Sequence, residues 1–149
     1  MKLSFKGDYA LKIILDLSLS HTKGISQIKD ISKRQDIPTK FLEQIITTLK
    51  GAGYVKTVRG PKGGVFLSKP PSKITMGDII RLMEGPTSPI TCVSKSGYDK
   101  CSYEKKCAFK GYFEEVRTRI NDVVDKTTFQ DIADKARRLN SAEAPDYSI

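Results

Sequence analysis

One stretch narrows the folds open to this chain more than any other. Between Ser26 and Ser68, two short helical patterns separated by a tight turn run straight into two extended segments around a glycine-rich, basic tip. Ser26 is placed to cap a short helix carrying Ile28 and Ile31, which gives way between Gln35 and Ile37. The next helix follows at once, with Pro38 in its first turn and Phe41, Leu42, Ile45, Ile46 and Leu49 as its apolar stripe. Gly51 and Gly53 end it. Two short helices joined this closely form a helix-turn-helix. Tyr54 to Val58 and Val65 to Ser68 then read as strands of a hairpin whose tip is Arg59-Gly60-Pro61-Lys62-Gly63-Gly64. The fold class expected is mainly α with a small β-hairpin wing: a winged helix-turn-helix followed by a long C-terminal helix.

The flanking segments complete that plan. Residues 7–20 carry Leu11, Ile14, Leu15 and Leu17 at helical spacing and should form a largely buried helix. Thr75, with Asp78 three residues on, resembles a capping box opening a helix that Gly85 and Pro86 close. Residues 86–106 lack periodicity, and a loop this long invites a functional role. From Ala108 to Lys126 a longer helix, about 28 Å at ~1.5 Å per residue, carries Phe109, Tyr112, Phe113, Val116, Ile120, Val123 and Val124. Nothing later in the chain is large enough to cover that stripe, which points to the same helix of a second subunit and a homodimer. Thr128 caps a last helix through Arg138. The expected division is a DNA-binding domain at 1–85, a cysteine-rich cluster-binding loop at 86–107, a dimerisation helix and terminal helix at 108–140, and a disordered tail at 141–149.

Charge singles out the first half. Residues 1–70 hold 13 Lys or Arg against 5 Asp or Glu, and the remainder 13 against 12, so most of the net +9 sits on the winged-helix portion. Nucleic acid is the commonest partner for such a half. The second helix of the motif would present Thr39, Lys40, Glu43, Gln44 and Thr47 outward. These side chains suit base edges and phosphates: Gln pairs with adenine, Glu accepts from a cytosine amino group, and Lys meets guanine or phosphate. At the hairpin tip, Gly60, Gly63 and Gly64 let backbone approach a phosphate, and Arg59 and Lys62 bring charge suited to a minor groove. A nucleotide-binding loop would need Gly-Lys-Ser or Gly-Lys-Thr opening a helix, whereas Gly64 leads into Val-Phe-Leu. With no nucleophile-base motif and one histidine, His21, at the end of the first helix, an enzyme has little to stand on.

Three cysteines, Cys92, Cys101 and Cys107, fall within 16 residues. An odd count without a secretion signal argues against a disulfide framework. The early lysines also interrupt any leader, and no apolar run suffices to span a membrane, so a cytoplasmic protein without membrane contact is expected. The cysteine spacing is not that of a paired zinc ribbon. Thiolates on an irregular loop can wrap an iron-sulfur cluster, and Lys95, Lys100, Lys105, Lys106 and Lys110 put positive charge around them. The same thiols could instead react directly with oxidants. In that alternative the chain is metal-free and controlled by thiol redox or by a protein partner.

Residues 1 to about 138 resemble the IscR/NsrR family of bacterial regulators, often called the Rrf-two family. The likeness rests on Met-Lys-Leu-Ser with Gly7-Asp8-Tyr9-Ala10-Leu11, on Phe41-Leu42-Glu43-Gln44, on Val58 to Gly64, and on Gly77-Asp78-Ile79-Ile80 with Glu84-Gly85. It implies a winged-helix dimer joined through the long C-terminal helix, binding a palindromic double-stranded DNA operator, usually as a repressor. DNA contacts are implied around Thr39, Lys40 and Glu43 and at Arg59. The three cysteines are similar to those of members that hold an iron-sulfur cluster and report iron, cluster supply, redox state or nitric oxide. Members like IscR carry a histidine three residues after the third cysteine, where this chain has Lys110. In some members like NsrR the fourth ligand is an aspartate from the first helix of the other subunit, a position Asp8 matches. The resemblance therefore implies Cys92, Cys101, Cys107 and Asp8 around a cluster, 4Fe-4S in preference to 2Fe-2S.

Overall fold

The computed structural model describes residues 2–143. Its elements are α1 (Phe5–Leu19), α2 (Ile28–Gln35), α3 (Thr39–Gly51), β1 (Val55–Val58), β2 (Gly64–Leu67), α4 (Met76–Glu84), α5 (Lys110–Val124) and α6 (Phe129–Ala142). This is the expected winged helix-turn-helix with its C-terminal helices. α6 continues past Arg138 to Ala142, so the first residues of the expected disordered tail are helical. The rest of that tail, 144–149, lies outside the described residues.

The core is built on α1. Ile13, Ile14 and Leu17 meet Ile31 of α2, Leu42, Ile45 and Leu49 of α3, and Val55, Val65 and Leu67 of the hairpin. Ile79 of α4 and Phe129 of α6 close the same cluster, so the core of the winged-helix half draws on residues near the end of the chain. Burial of a large apolar side chain is worth about 1.5–3 kcal/mol, and Phe129 is only 1% exposed.

Local chemistry sets where elements begin. Ser4 caps α1 by accepting from the Gly7 N–H at 3.2 Å. Capping boxes open α4, through Thr75 and Asp78, and α6, through Thr128 and Asp131. Hydrogen bonding to Thr128 holds the Asp131 carboxyl below the usual carboxylate range. The two helix starts are tied together: Met76 N–H donates to the Thr127 carbonyl and Phe129 N–H to the Ile74 carbonyl, each at 2.9 Å. Ser26 is not the cap of α2, which begins after Gln27. It pairs instead with Val65 across a β-bridge, its N–H and carbonyl bonded at 2.9 and 2.8 Å. Gly64 permits that approach, since a Cβ there would collide with the Ser26 carbonyl.

One polar group lies within the α1 packing. Asp16, 4% exposed, accepts from Arg34 through both carboxylate oxygens, at 2.9 Å from Nε and 2.8 Å from Nη2, and from Gln35 Nε2 at 3.1 Å. A forked guanidinium-carboxylate pair is strong and directional, and here it fixes the last turn of α2 against α1. Asp36, in the left-handed region at φ 50°, then turns the chain toward α3.

The long helix behaves differently from the others. Val124 is buried, but Phe109, Tyr112, Val116 and Val123 are exposed, Phe109 and Tyr112 by 67% and 73%. Phe41 was expected in the inward stripe of α3 and is instead half-exposed, its ring 6.4 Å from that of Tyr9. The Asp16 cluster yields a direct expectation: Asp16→Ala lowers unfolding free energy by about 1.5–3 kcal/mol, because it strips three donors of a charged acceptor. Urea denaturation checks this, and an unchanged midpoint would mean the pair only decorates the packing.

Candidate nucleic-acid interface and cysteine loop

On α3, burial sorts the side chains into two faces. Leu42, Ile45, Ile46 and Leu49 are buried, while Thr39, Lys40, Glu43, Gln44 and Thr47 are exposed. The expected outward set is thus free to meet a ligand, with Phe41 and Thr48 beside it. Thr47 bonds back to the Glu43 carbonyl at 2.9 Å, which fixes its hydroxyl on the helix, while Glu43, Gln44 and Lys40 project further.

The wing is an antiparallel pair in the register Val55↔Leu67, Lys56↔Phe66, Thr57↔Val65 and Val58↔Gly64. Between the strands, Gly60 takes φ 110° and its carbonyl accepts from the Gly63 N–H at 3.0 Å. A side chain at Gly63 would strike the Val58 carbonyl, so this tip needs glycine for space as well as for conformation. Arg59 and Lys62 are exposed on either side of the turn. Gln27 reaches the tip by donating to the Pro61 carbonyl at 3.4 Å. Together with the Ser26 bridge, this binds the wing to the start of α2.

The cysteine loop leaves α4 at Gly85 and enters α5 after Phe109. Its irregular course includes short 3-10 turns at Thr91–Val93 and Glu104–Lys106. Two contacts dock its first half on α5: Thr87 donates to Asn121 Oδ1 at 2.6 Å, and Arg117 donates to the Val93 carbonyl. Its second half is held by Glu104, which accepts from Tyr98 at 2.8 Å and from Lys110 at 2.6 Å. The Lys110 ammonium and then the Tyr98 hydroxyl hold the Glu104 carboxyl below the usual range, and Glu104 in turn raises Lys110. Lys110 is therefore engaged inside the loop.

Cys92 and Cys107 are half-buried and Cys101 is exposed, all three as free thiols. Among the described residues no three Cys, His, Asp or Glu side chains come near enough to share a metal ion. Neither the three thiols nor a set including Asp8 is gathered within one subunit. Asp8 lies half-buried in the first turn of α1, paired with Lys12 at 2.8 Å, and this pairing raises the Lys12 pKa. As donors the residues suit an iron-sulfur cluster: soft sulfur ligands on a backbone with little regular hydrogen bonding to break. Their spacing in this structure would have to close.

The glycines of the resemblance motifs acquire reasons. A side chain at Gly7 would occupy the place of Glu84 Oε1, which accepts from Ser4 N–H at 3.0 Å and Ser4 Oγ at 2.5 Å. A side chain at Gly77 would meet the Asp125 carboxylate, itself paired with Arg81. Sequence reasoning did not find Asp16, Arg34 or Arg117. A lone acidic residue within the α1 stripe was the available signal for the first.

A family model described as Rrf2, an iron-dependent transcriptional regulator, matches residues 3–135. The HTH-type transcriptional regulator CymR of Bacillus subtilis is 35% identical over 133 residues, 89% of this chain and 90% of that protein. Its solved structure, titled the global cysteine regulator, superposes with a TM-score of 0.78, covering 91% of this chain and 98% of that one. The HTH-type transcriptional regulator IscR of Escherichia coli is 31% identical over 151 aligned positions, 97% of this chain and 91% of that protein. The solved T. potens IscR is 32% identical, with a TM-score of 0.74 over 97% of this chain and 93% of that one. These relatives are regulators, not enzymes, and the chain belongs to the Rrf2 family of transcriptional regulators.

Proposed function

We propose that the chain is a homodimeric, cytoplasmic repressor that binds a palindromic operator through α3 and the wing, its affinity set by an iron-sulfur cluster on the cysteine loop. The observation that carries the DNA reading is the polar row of Thr39, Lys40, Glu43, Gln44 and Thr47 on the outer face of α3, next in sequence to a wing tip bearing Arg59 and Lys62. In this reading Glu43 and Gln44 read base edges. Thr39, Lys40 and the tip, with Gly60 and Gly63 giving backbone access, hold the phosphates. The exposed apolar stripe of α5 supplies the dimer contact, and half-sites about one helical turn apart would then fit the pair.

Cys92, Cys101 and Cys107 would hold the cluster, with Asp8 of the partner subunit as fourth ligand. Such a group would supply iron chemistry responsive to iron supply, redox state or nitric oxide, and a carboxylate ligand would leave one iron more open to attack. A 4Fe-4S cluster is favoured over 2Fe-2S. Within each chain, Glu84 connects the mouth of this loop to the N-terminus of α1, beside Asp8, so a change in loop position has a path to the reading head.

A second reading has its own support. The three thiols are not gathered around one point and one is exposed, and a relative titled a global cysteine regulator is among the similar solved structures. In that reading the cysteines act by thiol redox or the protein answers to a partner.

Arg59→Ala should weaken operator binding and lower the salt slope of log affinity by about 1 if the contact is to phosphate. Titrations at several salt concentrations read this, and unchanged affinity would remove the wing. Glu43→Ala should chiefly relax sequence preference, at ~1–3 kcal/mol of discrimination, with random DNA bound almost as before. Equal losses on operator and random DNA would make the residue structural. The cluster is tested by the visible spectrum with iron and sulfide analysis of anaerobically purified wild type beside Asp8→Ala and Cys101→Ala. Colour lost in Cys101→Ala and altered in Asp8→Ala is the expected result. Identical spectra in wild type and Asp8→Ala would discard Asp8, and colourless wild type after reconstitution would leave the thiol reading.

A further inference from the structure

A cavity of about 340 Å³ lies between the first half of the cysteine loop and α5, walled by Thr87, Ser94, Lys95, Ser96, Arg117 and Asn121. Its side chains offer hydroxyls, an amide and charge, over a lining that also carries apolar surface. Four cations and two carboxylates border it, and the pairing among them is uneven. Arg81 is bound to Asp125, and Lys126 lies 3.9 Å from Asp122. Lys95 and Arg117 have no carboxylate partner among the described residues. Arg117 is held in place by its bond to the Val93 carbonyl, yet its buried Nε has no hydrogen-bond partner. Buried donors are almost always met. Nε itself is closed to any occupant, but the rest of this fixed guanidinium and Lys95 leave the cavity two positive charges that no carboxylate among the described residues answers, a setting suited to an acceptor with negative charge.

We propose that this pocket binds a small organic oxyanion, a carboxylate or phosphate group recognised by Arg117 and Lys95 with the hydroxyls of Ser94 and Ser96. The volume, at the lower end of ligand sites, suits a compact metabolite. At about 100° per residue, Arg117 and Asn121 project from a different side of α5 than Phe109, Tyr112 and Val116. The pocket therefore stays open when the apolar stripe is covered. An occupant would draw the Pro86–Ser96 segment, and with it Cys92, against α5, giving the regulator an input separate from the chemistry of its thiols. The site does not depend on whether the loop takes a cluster.

The test is isothermal titration of the full chain, free of iron, with inorganic phosphate and with malonate, against malonamide and against sodium chloride at matched ionic strength. Saturable binding of phosphate or malonate, but not of malonamide or chloride, is expected, and whichever anion saturates names the group. Arg117→Gln should weaken it by about tenfold or more. Ser96→Asp should do likewise by setting a negative charge at the rim while leaving the Arg117 contact with Val93 intact, which keeps the test valid if Arg117→Gln folds poorly. Arg119→Gln, on the exposed side of α5 where its neighbour is Glu115, should bind as wild type does. No saturation by either anion, wild-type affinity in Ser96→Asp, or an equal loss in Arg119→Gln would overturn the proposal.

Discussion

Asp16 is a carboxylate with almost no access to water, and the placement of the helix-turn-helix turns on how its charge is met. Arg34 satisfies both oxygens from the last turn of α2, and Gln35 adds a third donor. Loss of its partners would leave a buried charge unpaired and costly, so the pair favours the observed setting of α2 on α1. α3 follows after a turn of three residues, and its buried face of Leu42, Ile45, Ile46 and Leu49 then has a single place to go. The apolar contacts supply most of the stabilisation, but they are tolerant of small slides. The forked ion pair is directional and holds α2, which α3 follows, against α1.

Beyond the shared apolar core, two carboxylate side chains reach the helix starts at glycine positions. Gly7 admits the Glu84 carboxylate to the start of α1, and Gly77 admits Asp125 to the start of α4. The first contact links the mouth of the cysteine loop to α1, and the second links the end of α5 to α4. Both contacts run through charged groups with defined partners. Because Ser26 and Gln27 tie the wing to α2, wing and helix-turn-helix would shift as one body.

Much of this was legible in the sequence because it is local. The hairpin, the left-over apolar stripe of α5 and the capping boxes at Thr75 and Thr128 each depend on residues a few positions apart, where periodicity and capping chemistry apply. Ser26 was misjudged because a serine before an apolar run suits a helix cap equally well, and only the distant strand at Val65 decides otherwise. Phe41 fits the inward stripe by spacing, yet Tyr9 gives it an aromatic neighbour at the surface. Arg34 and Arg117 could not be read at all: their partners lie 18 and 24 residues away, and a basic residue on a helix is ordinarily a solvated one. Spacing groups the cysteines in sequence, whereas among the described residues no three potential ligands come together in space, which depends on long-range packing that spacing does not report.

Phe129 sits in the same apolar cluster as Ile13 and Val65, and this bears on how the protein is made. A ribosome delivers α1 first and α6 last, so the core of the winged-helix unit stays open until the cysteine loop and the long helix have already been synthesised. A nascent chain halted anywhere before α6 lacks the side chain that seals that core. Products that stop short of α6 therefore lack a closed winged-helix core, and that unit is completed only together with the cysteine loop and α5.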